Sequence, residues 1–177
     1  MADEVKGEEV EKVFCKRCGA EISEKPLSVD EGVMEDYLRA VLGGKHFERT
    51  FKLASGRISM TFAEIPGPVS DKFNDIMKTT PVDKALDTAV NYKLALILKK
   101  VEFINPDGVV EIKYEADDET RAKYVENLQR AFSKLSESFD ESILVLLRRA
   151  GISFIMLTKA ISDSLLNSDF YTGVGLR

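Results

Sequence analysis

The spacing of apolar residues changes from a helical to an extended period within the first third of the chain. In the first stretch, apolar residues recur at intervals of three and four, which gives one apolar helical face. These residues are Val33, Tyr37, Leu38, Val41 and Leu42. Asp30 precedes this stretch as an N-cap, and Gly43-Gly44 ends it. Two segments with alternating apolar and polar residues then flank Ser55-Gly56 and predict a β-hairpin with one buried face. Its inward side chains are Phe47, Phe51, Leu53, Ile58, Met60 and Phe62.

The middle of the chain contains two further helical patterns and a second hairpin. Pro66-Gly67-Pro68 breaks the regular structure, and residues 69–78 and 81–91 then read as short helices. Residues 92–104 fit either an extended helix or a strand. The turn sequence at 105–108 and the strand-like residues 109–114 favour the strand and a second β-hairpin.

The last third is helical, and its final helix has apolar residues on most sides. One stripe follows a cap at Asp117 or Asp118; it comprises Tyr124, Val125, Leu128, Phe132, Leu135 and Phe139. A second helix begins at Asp140 and needs cover from its own domain or from another subunit. We expect that helix and the extended tail after it to bind partners through Ile143, Leu147, Phe154, Leu157, Ile161, Phe170 and Tyr171.

These elements predict an α+β fold with one compact domain. The body spans residues 30–177, with two β-hairpins and a carboxyl-terminal pair of long helices. Residues 1–29 form an acidic, flexible arm that carries the two cysteines of the chain.

Composition and charge narrow the function classes. The chain has 44% hydrophobic and 31% charged residues and a net charge of -5, which is ordinary for a soluble globular protein and argues against nucleic acid as a partner. Residues 1–12 are acidic and do not form a secretory signal. The most apolar stretch, residues 143–157, is shorter than the ~20 residues that span a bilayer and contains Arg148 and Arg149. We therefore expect neither a membrane nor a nucleic acid as a partner.

Cys15 and Cys18 form one C-x-x-C pair in "VFCKRCGAEIS". This spacing lets two thiolates bind one Zn²⁺ ion, but a structural zinc site needs four ligands. A second copy of the chain could supply two more thiolates, or His46 with Glu21 or Glu24 could complete the site. The alternatives are a redox pair, which lacks the preceding strand of a thioredoxin-like motif, and a reduced pair without metal. Zinc is thus the one cofactor that the sequence indicates.

The sequence contains no motif that identifies a catalytic centre. His46 is the single histidine, and no G-x-S-x-G segment accompanies it. Gly43-Gly44-Lys45 lacks the frame of a phosphate-binding loop. We therefore expect no catalytic residues and no enzymatic activity.

Residues 30–177 contain, in order, the segments "YLRAVLGGKHFERTFKLASGRISMTF" and "YKLALIL", the late helical pair and the ending "SDFYTGVG". In this layout the chain resembles small virion morphogenesis proteins of tailed bacteriophages. The resemblance implies a structural component or tail assembly chaperone, present in the host cytoplasm during assembly and in the virion if it remains there. It implies phage structural proteins as partners and a homo-oligomeric state. The alternative function is a zinc-binding cytoplasmic adaptor or regulator.

Overall fold

The structure, a computed structural model, describes residues 13–14, 21–22 and 29–166. The strands of the described residues, in chain order, are β1 (Val13–Phe14), β2 (Glu21–Ile22), β3 (Glu48–Leu53), β4 (Ile58–Ala63), β5 (Leu98–Ile104) and β6 (Val110–Glu115). The helices are α1 (Glu31–Leu42), α2 (Gly67–Thr79), α3 (Val82–Ile97), α4 (Asp118–Tyr124), α5 (Leu128–Ser138) and α6 (Glu141–Leu166), with a single 3₁₀ turn at Ala54–Gly56. This arrangement confirms the predicted α+β class.

Strands β3 to β6 form one antiparallel sheet in the order β3-β4-β5-β6. Its two faces differ in polarity, as the register shows. One row of paired residues runs through Phe51, Met60, Val101 and Tyr114 and faces the core. The neighbouring row includes Thr50 and Thr61, whose hydroxyl oxygens lie 2.9 Å apart on the exposed side. The sheet therefore buries one face under the helices, as the alternating pattern predicts.

Helix α6 packs on the buried face of the sheet. The ring of Phe154 stacks between those of Phe47 and Phe62, with ring centroids 6.1 and 5.9 Å away. Such stacked aromatic groups each bury a large apolar area. Although α6 has 26 residues, no helix among the described residues is long and apolar enough to cross a membrane.

The first helix and the first hairpin are confirmed as elements, but the predicted apolar face of α1 is not buried at its end, where Leu42 is 85% exposed. The side chain of Asp30 accepts a 2.9 Å hydrogen bond from the backbone N–H of Gly32, which caps α1 as predicted. At the other end of α1, Gly44 adopts a φ of 67°, in the left-handed region that glycine tolerates without strain. Strands β3 and β4 pair around the 3₁₀ turn, and Arg49 shares the inward side of β3 with Phe51.

Residues 92–104, which the sequence assigned to either a helix or a strand, contain the end of a helix followed by a strand. Helix α3 continues to Ile97, and β5 begins at Leu98 without a loop. The residues around this junction, 94–98, are all buried, at 2% exposure or less. A helix end that is buried on all sides has apolar residues all round. It therefore lacks the helical alternation of apolar and polar residues by which a helix is recognised in a sequence. The second hairpin is confirmed as β5 and β6.

The stripe predicted after Asp117 is divided between two helices. Asp117 caps α4, and Asn127 caps α5 by accepting a 2.9 Å hydrogen bond from the N–H of Arg130. The Asn127 backbone is non-helical, which breaks the continuous helix that the apolar spacing suggested. The predicted carboxyl-terminal pair is therefore α5, with 11 residues, and the longer α6.

Candidate protein-binding surface

Most of the helical residues expected to contact a partner lie inside the chain's own core. Leu147, Phe154 and Ile161 have exposures of 0%, 1% and 0%. Ile143 and Leu157 are half-buried against the same core. The burial of the first three residues corrects the expectation that they contact a partner, because the sheet already uses this side of α6. Phe170 and Tyr171 lie outside the described residues.

The opposite side of α6 carries exposed apolar side chains. Val145, Ile152 and Met156 are 37%, 43% and 53% exposed. Ile152 and Met156 are four residues apart, so their side chains are neighbours on the helix surface. We call these two residues the α6 ridge. The sequence predicts apolar residues on most sides of this helix and does not indicate which side faces solvent.

A narrow apolar groove, groove A, separates α6 from α3 on one flank of the ridge. Its volume is about 120 Å³, and its lining residues are Ala89, Val90, Lys93, Leu94, Ile97, Arg148, Gly151, Ile152 and Ile155. Gly151 lies at a close approach of the two helices, since a methyl group at this position would lie 3.1 Å from Leu94 Cδ1. The absence of a side chain at Gly151 keeps the helices close together.

A wider groove, groove B, runs along the other flank of the ridge, between α6, the start of α1 and the edge strand β3. Its volume is about 430 Å³, and its lining residues are Val29, Asp30, Val33, Arg49, Phe51, Ser153, Met156, Leu157 and Ala160. Each of the four α6 residues that line groove B lies five positions after one of the four α6 residues that line groove A. The two grooves therefore lie on opposite flanks of one helix, with the α6 ridge between them.

Cations dominate the charged groups beside the ridge. Burial lowers the pKa of the half-buried Lys93 below its usual range. Arg148 already forms an ion pair, because it donates to the carboxylate of Glu141 over 2.5 Å. It also donates to the side-chain oxygen of Asn91 over 2.9 Å. Among the described residues, neither Lys93 nor Arg49 forms an ion pair. The surface thus presents two cations that form no ion pair with the described part of the chain.

A separate polar cleft lies beside His46. Its volume is about 690 Å³, and its lining residues are Asp36, Ala40, Gly44, Lys45, His46, Phe47, Glu48, Lys99 and Asp118. Glu48 pairs with Lys99, and Asp118 accepts a 2.7 Å hydrogen bond from Arg121. Among the described residues, none that lines this cleft offers a hydroxyl or thiol for His46 to activate. Burial raises the pKa of Glu64, but Glu64 does not line this cleft.

The structure describes only the strands that flank the cysteine pair. Val13 pairs with Ile22 and Phe14 with Glu21 in an antiparallel β1–β2 ladder, which brackets residues 15–20. Cys15 and Cys18 themselves lie outside the described residues. Within the described part of the chain, no three His, Cys, Asp or Glu side chains are grouped to hold a metal ion.

Strand β6 is an open edge of the sheet with apolar side chains. Val110 and Ile112 are 52% and 51% exposed, and Val109 precedes them at 60%. An exposed edge strand can pair with an extended segment of another chain. A register shift opposite Val101 and Glu102 and the charge of Lys113 both limit such pairing. The edge is therefore a weaker docking feature than the α6 ridge.

Comparison with protein-family models, with curated proteins and with solved structures finds no match for this chain.

Proposed function

We propose that this chain is a non-enzymatic assembly protein that acts by binding other protein chains, and that these are structural proteins of a tailed-bacteriophage particle. The observation that supports protein binding is the α6 ridge, with Ile152 and Met156 exposed between two grooves. The resemblance of residues 30–177 to virion morphogenesis proteins supports the phage context.

The ridge has the features of an interface centre. Exposed Ile and Met side chains between concave flanks give a partner both a protrusion to enclose and grooves to fill. Covering the exposed parts of Ile152 and Met156 would contribute on the order of 1 kcal/mol for each side chain. Met also adapts its shape to different partners because its side chain is unbranched and flexible.

The polar cleft supports the non-enzymatic part of this proposal. Most of its carboxylates and cations are engaged with each other or with the fold, as in the Glu48–Lys99 and Asp118–Arg121 pairs. A general base needs a proton to abstract from a nucleophile or substrate within hydrogen-bond reach. The described residues that line the cleft around His46 offer no such nucleophile.

A pair of matched variants tests the proposed function. Ile152→Glu places a charge on the ridge, whereas Leu42→Glu makes the same type of change at an 85% exposed residue outside both grooves. Each tagged full-length variant is isolated from phage-infected cells, and its complexes are measured by native mass spectrometry. We expect virion structural proteins with the parent and with Leu42→Glu, and their loss with Ile152→Glu. A parent protein that is strictly monomeric and binds none of them would refute the proposal.

A zinc-binding adaptor is the second candidate function, and the β1–β2 ladder favours it. The two paired strands precede and follow the cysteine pair in the sequence, and two thiolates supply half of a tetrahedral zinc site. If Cys15→Ser loses both zinc and partner binding, the knuckle is the functional element. If this variant still assembles normally, the adaptor hypothesis is wrong.

A further inference from the structure

The charges on the two flanks of the α6 ridge have one predominant sign. Lys93 lies in groove A, and Arg49 lies in groove B. Within the described part of the chain, the one carboxylate that lines either groove is Asp30, whose side chain caps α1 through the N–H of Gly32. A partner that covers the ridge therefore meets a positive charge on each side of an apolar strip.

Lys93 shows what such a partner has to supply. Its ammonium group is partly removed from water and has no carboxylate partner among the described residues. A partner that covers groove A removes still more water from this cation. An unpaired charge in such a place is costly, whereas a paired and hydrogen-bonded charge is tolerated. An acidic side chain next to Lys93 meets this requirement, and an apolar or basic one does not.

We propose that the α6 ridge binds an amphipathic helix of a partner protein whose apolar stripe is flanked on both sides by Asp or Glu residues. This inference rests on the proposed function and specifies the chemistry of the partner. The acidic flanks face Lys93 and Arg49, and the apolar stripe covers Ile152 and Met156.

The shape of the surface favours a helix. The lining residues that α6 gives to each groove recur at helical spacing, so both grooves follow the helix axis and accept the side-chain rows of a second helix. Groove A has room for a single side chain, at about 120 Å³ against the ~300–1,000 Å³ of small-molecule sites. Charges on both flanks of an apolar seam are also how paired helices select each other.

A second copy of the same chain fits this surface less well. If two ridges packed together, the Lys93 and Arg49 cations of each copy would approach the cations of the other. Arg149, which is exposed on the same side of α6, adds to this repulsion. Like charges that face each other across an interface disfavour association, so the partner is a different, acidic segment.

The test uses the full-length chain and two synthetic helical peptides of about three heptads. Both peptides carry a leucine stripe; one has Glu on each flank of the stripe, and the other has Lys at the same positions. Binding is measured by fluorescence anisotropy at low salt. We expect the Glu peptide to bind at least about tenfold more tightly than the Lys peptide. The variant Lys93→Glu with Arg49→Glu should reverse this preference.

The matched control changes the same number of charges elsewhere. Lys52→Glu with Lys72→Glu alters two exposed lysines that line neither groove, and it should keep the preference of the parent. Circular dichroism checks that every variant is folded. Failure of both peptides to bind, equal binding of the two peptides, or reversal of the preference in the control variant would overturn the inference.

Two further outcomes separate this inference from the proposed function. If Ile152→Glu abolishes capture of the structural proteins but the peptides do not discriminate by charge, the docking function stands and the acidic-helix inference falls. A synthetic peptide of residues 1–12, which are acidic, is also added in trans. If it binds as tightly as the Glu peptide, the surface belongs to the chain's own amino-terminal segment, and the inference is overturned.

Discussion

Arg121 donates a 2.9 Å hydrogen bond to the carbonyl oxygen of Leu96, in the last turn of α3. The same terminal nitrogen lies 3.3 and 3.4 Å from the carbonyl oxygens of Ala63, the last residue of β4, and Glu64, which follows it. The other terminal nitrogen donates to Asp118 over 2.7 Å. The last carbonyls of a helix lack partners within the helix and carry partial negative charge. A side chain with 1% exposure thus joins α3, β4 and α4.

Replacing Arg121 is expected to destabilise the fold strongly. Arg121→Ala leaves buried carbonyl groups without donors, and we expect the free energy of unfolding to fall by roughly 3 kcal/mol in urea denaturation. Arg121→Lys keeps the charge but cannot form the same fork, so it should fall between the parent and Arg121→Ala. Arg130→Ala, at an exposed position of α5, is the control and should change stability by less than about 0.5 kcal/mol. If Arg121→Ala and Arg130→Ala lowered the free energy of unfolding equally, the hydrogen bonds of Arg121 would not hold α3, β4 and α4 together.

Asp118 should make the stability depend on pH at the acidic end. The hydrogen bond from Arg121 holds the pKa of Asp118 below its usual range. A carboxyl group with a lowered pKa in the folded state stabilises the fold above its unfolded pKa, near 3.9. This contribution is lost as the pH falls through the lower, folded pKa. The half-exposed position of Asp118 weakens the effect through solvent screening.

The variant Asp118→Asn removes that contribution. We expect it to be less stable than the parent near pH 7, and the difference should shrink as the pH drops below about 4. Thermal unfolding measured across pH 2–7 checks this. Asp36→Asn, in an exposed ion pair with Arg39, is the matched control for loss of one negative charge. If the stability difference between Asp118→Asn and the parent were the same at every pH, the charge of Asp118 would not be the source of the stabilisation.

Enlarging Gly151 should disturb the contact between α3 and α6. A methyl group there would lie 3.1 Å from Leu94 Cδ1 and 3.5 Å from both Ile97 Cδ1 and Phe62 Cε1. We expect Gly151→Val to lower the free energy of unfolding by about 1–3 kcal/mol, because extra atoms in a packed core force its neighbours apart. Lys159→Val, at an exposed position of the same helix, is the control for a valine in α6 away from this contact. If both variants unfold at the same urea concentration, the close approach does not limit packing.

The cysteine pair predicts a particular metal content. If two copies of the chain each give Cys15 and Cys18 to a four-thiolate site, the purified protein should contain about one zinc ion for every two chains. Elemental analysis combined with native mass measurement tests this ratio. Cys15→Ser should lose the zinc, and His46→Ala should keep it. One zinc ion per monomer that is lost in His46→Ala would instead identify the imidazole as a ligand.

Several elements could be predicted from local sequence because their causes are local. The Asp30 cap and Gly44, with its left-handed backbone, bound α1, and the period-two alternation around Ser55-Gly56 defines the first hairpin. The positions of two element boundaries could not be predicted, because the local sequence gave an ambiguous signal or none. At the α3–β5 junction, enclosure from all sides removed the periodicity, and the Asn127 cap interrupted an apolar stripe that otherwise reads as one helix.

The candidate site shows the same division. Composition and spacing predict that α6 is a long helix with apolar residues on most sides. The same pattern does not distinguish Phe154, which enters the core, from Met156, which is exposed, because a helix that is apolar all round has no preferred inner side. Packing makes this choice: the sheet covers the side of α6 that fits its own aromatic rings, and the opposite side remains exposed.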